Sequence, residues 1–237
     1  MDNISIVIPA YEEEATVELV VREVSSISQT CFHNYEIILV NDGSKDHTGE
    51  ISRRLVEEIP CLRVVEHYPN RGYGGALKAG FNAATKDLIA FIPADGQYDF
   101  SEIRNLLDNI DHADIVCGYR YNRQDNNIRK INAWGWNRLV QLMFGYLCRD
   151  VDCGFKLFRR ELLEYMTISS NGALIDTEFL AKARLYQLRI VEVPVTHFNR
   201  KAGRATGANL KVIFKAFKDL VGFRFKLIAE ERVVRTR

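Results

Sequence analysis

The sequence is poor in the features that define secreted, disulfide-bonded or membrane-spanning chains. Its 237 residues include only five cysteines, none of which forms a C-x-x-C pair. An odd number of scattered cysteines is typical of reduced, mostly buried thiols, so we expect a cytoplasmic protein without disulfides. No apolar run approaches the roughly 20 residues needed to cross a bilayer. Internal repeats and low-complexity segments are absent from the sequence.

The chain also lacks a strong net charge. Its 32 Lys and Arg residues nearly balance 31 Asp and Glu residues, for a net charge of +1. Such a chain has no global field that would attract nucleic acid, so we expect no nucleic-acid partner. The five histidines show no metal-ligand spacing. The 47% hydrophobic content is ordinary for a globular protein with one substantial core.

The first hundred residues instead show a regular alternation of apolar, β-branched runs with amphipathic segments. The predicted strands are 4–10, the first part of 35–46, 62–68 and 87–92, and the predicted helices are 12–26, 48–58 and 72–84. This β-α-β-α-β-α-β order predicts an α/β fold with a mostly parallel sheet and helices on both faces. Ligands of such sheets bind at the carboxyl ends of the strands.

The second half of the chain has weaker patterns. The predicted strands are 114–118, 151–159 and 189–194, and the predicted helices are 101–110, 133–147, 176–185 and about 208–230. Residues 120–130 are polar without a period, which predicts a loop. Since no linker stands out, we expect one catalytic domain over 1–207 and a C-terminal amphipathic helix and tail over 208–237. That helix carries phenylalanine and lysine, which suits a membrane interface, or packing on the domain or in a homodimer.

Three polar loops follow predicted strands, at residues 9–13, 41–44 and 94–97. Each alone is an ordinary turn or helix cap, but the ends of parallel strands share one rim of a sheet. A carboxylate on that rim can accept the imide N–H of uracil or the N1–H of guanine, and Tyr11 can cover the face of a base. A carboxylate and an amide oxygen, from Asp95 and Gln97, suit Mg²⁺ or Mn²⁺ bridging a diphosphate.

Five motifs then carry a resemblance to a known family. In chain order they are Ile-Pro-Ala-Tyr-Glu-Glu at 8–13, Val-Asn-Asp-Gly-Ser at 40–44, Asn-Arg-Gly-Tyr-Gly-Gly-Ala at 70–76, Asp-Gly-Gln at 95–97 and Cys-Gly-Phe-Lys-Leu-Phe at 153–158. With these motifs the chain resembles family-2 glycosyltransferases of the GT-A (Rossmann-like) fold. Within that family it is most similar to the dolichol- and polyprenyl-phosphate sugar transferases, the dolichol-phosphate mannose synthase group. The resemblance covers residues from about 4 to about 210.

The resemblance implies an inverting transfer of a hexose from UDP-glucose or GDP-mannose to a polyprenyl or dolichyl phosphate at a membrane surface. The nucleotide-binding residues it implies are Pro9, Tyr11, Glu13, Asp42 and Asp95. It implies that Asp95 and Gln97 bind Mg²⁺ or Mn²⁺. The catalytic residues it implies are Asp95 and three arginines that approach the donor diphosphate or the acceptor phosphate, Arg120, Arg129 and Arg200.

The chain departs from the family pattern in two places. Relatives commonly carry Asp-x-Asp at the metal site, and here Pro93 stands at the first position. Metal binding would then rest on Asp95, Gln97 and the diphosphate itself. Relatives often carry Ser-Lys after Arg-x-x-Gly, and here Ala205 and Thr206 follow, so Arg204 would supply the missing charge.

Two other functions fit the same fold. A phosphate acceptor is already an anionic nucleophile and needs mainly orientation and charge neutralisation. A sugar hydroxyl, in polysaccharide or glycan synthesis, needs a base, for which Asp176 or Glu178 is the candidate unless both only hold a helix start. A non-catalytic binding relative, whose metal site decayed at Pro93, is the remaining alternative.

Overall fold

The computed structural model describes residues 3–124, 127–200 and 210–234. The strands are β1 (Asn3–Ala10), β2 (Asn34–Asn41), β3 (Leu62–Glu66), β4 (Leu88–Phe91), β5 (Ile115–Tyr121), β6 (Lys156–Arg159) and β7 (Ile190–Thr196). The helices are α1 (Val17–Cys31), α2 (Thr48–Glu58), α3 (Tyr73–Ala83), α4 (Ile103–Ile110), α5 (Asn127–Phe144), α6 (Leu162–Tyr165), α7 (Ile175–Leu185) and α8 (Leu210–Val234). A short 3₁₀ turn, Phe100–Glu102, precedes α4.

The seven strands form one sheet in the order β3-β2-β1-β4-β6-β5-β7. All neighbouring strands are parallel except β6, which runs antiparallel to both β4 and β5. The predicted α/β class with a mostly parallel sheet is therefore confirmed. Because β6 is reversed, its first residue, Lys156, pairs with Phe91 at the end of β4. The loop that precedes β6 thus lies on the same rim as the loops that follow β4 and β5.

Each face of the sheet is covered by its own apolar cluster. Alternate residues of β1 divide between the clusters, with Ile4, Ile6 and Ile8 in one and Val7 in the other. The first cluster includes apolar residues of α1, α2 and α4, and the second those of α3, α5, α7 and α8. Strands that are buried on both faces need continuous apolar runs, which is the pattern from which the central strands were predicted.

The structure corrects the predicted start of the first helix. Residues 12–16 are not helical, and Glu12 has a φ of +55°. The backbone N–H groups of Glu12, Glu13 and Glu14 donate to the side chains of the loop after β2, namely Ser44, Thr48 and Asp46. These bonds join the first two polar loops, so the stretch serves the rim and α1 begins only at Val17.

Two predicted elements of the second half are also wrong in extent. Residues 120–130 are not a loop throughout, because β5 runs to Tyr121 and α5 begins at Asn127. Pairing with β7 along its whole length, to Thr196, extends β5 beyond the apolar run that signalled it. The predicted strand at 151–159 is confined to 156–159, since residues 150–155 form an irregular loop with buried polar contacts.

The predicted C-terminal helix is confirmed as α8. In its described part Leu220, Phe223 and Leu227 are buried against the domain, and Phe223 lies 5.5 Å from Phe144 of α5 between ring centroids. The predicted domain boundary at 207 falls in residues 201–209, outside the described residues, as do Arg204, Ala205 and Thr206. Within the described ranges, no helix is both long and apolar enough to cross a membrane.

Candidate active site

The predicted polar loops meet at one rim of the sheet. Ala94 N donates to Pro9 O over 3.2 Å, and Asp42 N donates to Ala10 O over 2.9 Å. The loops that follow β1, β2 and β4 are therefore joined backbone to backbone. Pro9 thus lies in the rim itself, where the sequence predicted it.

Asp42 organises the loop that leads into α3. Its carboxylate accepts the N–H of Arg71 at 2.9 Å and the N–H of Gly72 at 2.8 Å. Its Oδ1 also lies 2.7 Å from His67 Nδ1, and the residue is buried. Both oxygens of Asp42 are thus already engaged, and its predicted contact to a nucleoside stays a prediction.

Tyr11 lies on the same rim, partly exposed. Burial raises the pKa of the Tyr11 phenol, and the neighbouring carboxylates of Glu12 and Asp42 add to the effect. The phenol of Tyr11 therefore stays neutral near neutral pH, and part of the residue is exposed on the rim. The predicted stacking of Tyr11 on a base is not tested by these contacts and stays a prediction.

Glu13, Arg200 and Asp95 form a charged group at the centre of the rim. Arg200 Nη2 donates to Glu13 Oε1, although 187 residues separate them in the chain. Burial raises the pKa of Glu13, Arg200 lowers it, and Asp95 raises it again. Burial also raises the pKa of Asp95, against the charges of Arg200 and Arg120. The structure thus brings Glu13, Asp95, Arg120 and Arg200 of the predicted set together.

Gln97 holds the chain segment that carries Arg200. Its Nε2 donates to Phe198 O at 3.0 Å, and Phe198 N donates back to Gln97 O at 2.9 Å. Beside this pair, Tyr98 and His197 form an isolated antiparallel β-bridge, and their ring centroids lie 5.6 Å apart. The amide nitrogen of Gln97 is therefore used structurally, and its amide oxygen is the atom that suits a cation.

The oxygen ligands for a metal ion are few. Among the described residues, no group of three or more His, Cys, Asp and Glu side chains could hold a metal ion. Pro93 packs against Gly154, where an added Cβ would lie 2.7 Å from Pro93 Cγ. Asp95 and Gln97 fit a hard cation as two oxygen donors that need further oxygens, such as those of a diphosphate, to complete six-coordination.

Arg120 is fixed beside Asp95 by Asp150. Its Nε and Nη2 donate to the two carboxylate oxygens of Asp150, each over 2.6 Å, in a bidentate pair. Both side chains are nearly buried, with 9% and 11% exposed. The guanidinium is thereby held in one orientation, which suits recognition of a phosphate by its remaining N–H groups. Arg129 lies near the start of α5, partly exposed, and its predicted role stays a prediction.

Lys156 is a buried charged residue to which the sequence analysis assigns no role. It is fully buried, and its Nζ donates to Val151 O at 3.1 Å, to Cys153 O, and to Asp176 Oδ1 at 2.6 Å. Burial alone would lower the pKa of Lys156, but the charge and hydrogen bond of Asp176, together with Cys117 and Cys153, raise it above its usual value. One ammonium group therefore holds the loop before β6 against α7. The only sign of this residue in the sequence is a lysine in the middle of an apolar strand motif.

Asp152 is a second missed residue, on the loop that Lys156 holds. It is partly exposed, yet protein atoms enclose it closely. Burial raises the pKa of Asp152 to about 6, with Asp176 adding to the rise and Arg120 opposing it. Asp152 is thus a partly exposed carboxyl group with a raised pKa, within reach of the charge of Arg120.

The two predicted candidates for a catalytic base are both engaged elsewhere. Asp176 is buried and paired with Lys156. Glu178 is fully buried, and its carboxylate accepts the N–H groups of Ser169 at 2.9 Å and of Ser170 at 2.7 Å. These contacts favour the alternative that Asp176 and Glu178 hold the start of a helix and do not act as a base.

Comparison with known proteins identifies relatives of this chain by sequence and by fold. Two curated relatives are undecaprenyl-phosphate 4-deoxy-4-formamido-L-arabinose transferases. The one from Enterobacter sp. (strain 638) is 32% identical over 214 residues, and the one from Klebsiella pneumoniae (strain 342) is 34% identical over 216 residues. Each alignment covers 89% of this chain and 64% of the relative, so the chain spans less than two thirds of their length.

Among solved structures, glucosyl-3-phosphoglycerate synthase from Mycobacterium tuberculosis matches throughout the fold. Its complex with Mn²⁺, UDP-glucose and phosphoglyceric acid superposes with a TM-score of 0.69 at 20% identity, covering 93% of this chain and 77% of that one. The predicted GT-A fold is confirmed by this likeness. The profile of glycosyl transferase family 2 matches residues 5–167, about two thirds of the sequence. The chain therefore belongs to glycosyl transferase family 2.

Proposed function

We propose that this chain transfers a sugar from a nucleotide-diphosphate sugar to a polyprenyl phosphate. The observation that carries the proposal is that two arginines are held in place near Asp95, while both predicted bases are occupied by other contacts. Arg120 and Arg200 both act on Asp95, whereas Asp176 and Glu178 are engaged in buried contacts. Such a site suits an acceptor that brings its own negative charge and needs no deprotonation. The undecaprenyl-phosphate transferases among the relatives support the same acceptor class.

The donor side suits a nucleoside diphosphate. UDP-glucose is the first candidate donor, and GDP-mannose is the second. The solved neighbour binds UDP or UDP-glucose with Mn²⁺ or Mg²⁺, which supports a uridine donor and a divalent cofactor. Asp95 and Gln97 would hold that cation, which neutralises the leaving diphosphate when bound. Pro9, Tyr11, Glu13 and Asp42 would surround the nucleoside.

The arginines orient the two anions. Asp150 holds the Arg120 guanidinium, whose charge acts on both Asp95 and Asp152, and its remaining N–H groups can meet a phosphate. Arg200 reaches the donor side from the far end of the chain, and Arg129 would approach from α5. Holding both substrates in line places the acceptor phosphate opposite the leaving diphosphate, which gives inversion at the anomeric carbon.

A lipid acceptor requires access to a membrane surface, and α5 and α8 present a suitable face. Exposed large apolar side chains on the two helices are Ile131, Trp134, Leu142, Phe217 and Phe225. The sequence of α5 has no acidic residue. An apolar and basic face of this kind binds an interface with anionic lipids, which supports a cytoplasmic protein peripheral on the membrane. A homodimer through this face is the alternative, and vesicle co-sedimentation against analytical ultracentrifugation separates the two.

The test is transfer from labelled UDP-glucose or GDP-mannose to undecaprenyl or dolichyl phosphate, with Mn²⁺ or with chelator. We expect a lipid-linked sugar with the phosphorylated lipid and none with the free polyprenol. Asp95→Asn should abolish metal-dependent nucleotide binding. Transfer to sugar hydroxyls but not to the lipid phosphate would overturn the proposal, and no binding of any nucleotide would favour the non-catalytic alternative.

Transfer to a sugar hydroxyl remains the second candidate because of Asp152. Its carboxyl, with a pKa of about 6, is suited to accept a proton near neutral pH. The variant Asp152→Asn distinguishes the two acceptors. With a hydroxyl acceptor its kcat should fall by at least about 100-fold, because a general base contributes 10²–10⁴-fold. With a phosphate acceptor the loss should stay well below that figure.

A further inference from the structure

The donor side contains two partly buried carboxylates that face the same space. Glu13 follows β1 and Asp95 follows β4. Burial raises the pKa of both, and the charge of Asp95 raises that of Glu13 further. Two such groups repel each other unless a positive charge lies between them. In this structure that charge is provided by the protein itself.

Arg200 provides this charge. Its guanidinium pairs with Glu13, and its charge also acts on Asp95. It is brought there by Gln97, whose amide and backbone bind Phe198 in both directions, two residues before Arg200. The same loop, 95–97, therefore carries both the cation ligands and the anchor of the arginine.

We infer that Arg200 occupies the cation position of the donor site in the nucleotide-free protein and competes there with a divalent ion. A free Mn²⁺ ion would have to approach Asp95 against the positive charge of the Arg200 guanidinium, which is held nearby by its pair with Glu13. A nucleotide diphosphate removes this conflict, because its oxygens accept Arg200 and the metal ion at once. The site thus takes the metal–nucleotide complex in preference to the free ion, an inference that rests on the proposed donor class.

The test is a titration of the nucleotide-free full chain with Mn²⁺, in which electron paramagnetic resonance reports the unbound ion. Arg200→Gln should bind Mn²⁺ at least about tenfold more tightly than the wild type, a change in affinity of the size that is typical for coupling between two sites. Arg200→Lys keeps the charge and should stay near the wild type. Arg53→Gln is the matched control, since it removes an arginine from another carboxylate pair, with Glu66 at 2.6 Å, and should change nothing.

A second titration is made with saturating UDP. The ratio of Mn²⁺ affinities with and without UDP should be smaller for Arg200→Gln than for the wild type. Unchanged or weaker Mn²⁺ binding by Arg200→Gln, with a wild-type melting curve, would overturn the inference, as would Arg200→Lys behaving like Arg200→Gln. Neither titration contains a sugar or an acceptor. If the protein transfers no sugar to the lipid phosphate, only the proposed function is contradicted. If the Mn²⁺ affinity of Arg200→Gln is unchanged, only this inference is contradicted.

Discussion

The two sides of the rim hold their carboxylates by different means. On the proposed donor side, Asp42 is bound by the backbone N–H groups of Arg71 and Gly72 and contacts the His67 ring. On the proposed acceptor side, which comprises the loop before β6 and its partners, Asp150 and Asp176 are bound by the buried side-chain cations Arg120 and Lys156. A neutral backbone donor that loses its acceptor costs about 1–3 kcal/mol, whereas a buried cation or anion that loses its partner costs about 3–5 kcal/mol.

This difference teaches where each side is vulnerable. The proposed donor side holds Asp42 mainly with backbone N–H groups, and its charged pair, Glu13 with Arg200, is partly exposed. The proposed acceptor side is built from ion pairs with almost no exposure, so removal of one partner leaves a charge inside the protein. Stability measurements should therefore separate the two sides.

The largest effect is expected from Lys156→Met. Removal of the ammonium leaves Asp176 buried without its partner and leaves Val151 O and Cys153 O without their donor. Breaking a buried pair in this way costs about 3–5 kcal/mol in the free energy of unfolding. Urea denaturation measures it. The double variant Lys156→Met/Asp176→Leu is the control and should recover most of the loss, and a single-variant loss below about 1 kcal/mol would contradict the comparison.

A smaller effect is expected from Asp42→Ala on the donor side. The change removes the acceptor of the Arg71 N–H and leaves His67 Nδ1 without its partner, whereas the Gly72 N–H keeps Asn70 Oδ1 at 2.9 Å. Unsatisfied buried donors make the expected loss about 2–3 kcal/mol in the free energy of unfolding. Asp42→Asn retains one oxygen and should lose less. If Asp42→Ala proved costlier than Lys156→Met in the same urea series, the contrast between the two sides would be broken.

The smallest effect is a gain in stability, from Asp152→Asn. The folded protein binds this proton more tightly than the unfolded chain, since burial raises the pKa of Asp152 from 3.8 to about 6. The wild type therefore loses stability as the pH rises from about 4 to about 6, and the asparagine variant does not. Above pH 7 the variant should be more stable by on the order of 2 kcal/mol, and the gain should vanish below pH 4.

Asp150→Asn, on the same loop, is the matched control of opposite sign. Burial would raise the pKa of Asp150, but the hydrogen bonds and charge of Arg120 outweigh it and lower the pKa. Its ionised form therefore stabilises the fold at neutral pH, and Asp150→Asn should destabilise it there, with the difference shrinking as the pH falls through the lowered pKa. Urea unfolding at pH 4 and pH 7.5 decides both signs. Equal behaviour of the two variants would show that the loop does not distinguish these carboxylates.

Much of the donor side was predictable because its signals are local. Parallel strands that follow one another along the chain place their ends on one rim, so Asp42, Asp95 and Gln97 could be grouped from strand ends alone. The motif at 40–44 also marks its own turn, with Gly43 at a φ of +71°. The contact partners of these residues were not predictable. The spacing of residues in the sequence reveals neither the contact of Asp42 with the loop before α3 nor that of Gln97 with Phe198.

The acceptor side was predicted less well because its geometry comes from one reversed strand. A motif at 153–158 was visible, but only the antiparallel pairing of β6 with β4 and β5 turns the start of that strand, and the loop before it, toward the donor side. Asp152 and Lys156 were therefore overlooked, and Asp176 was considered as a base although Lys156 holds it.

By itself the sequence determined the α/β alternation, the family and the set of polar loops, because apolar periodicity and turn chemistry act between near neighbours. Only the tertiary structure decided which charge compensates which. Arg200 meets Glu13 across 187 residues, and Lys156 meets Asp176 through a sheet pairing. The free energy of a partly buried charge depends on the atoms packed around it, and chain distance does not specify those atoms.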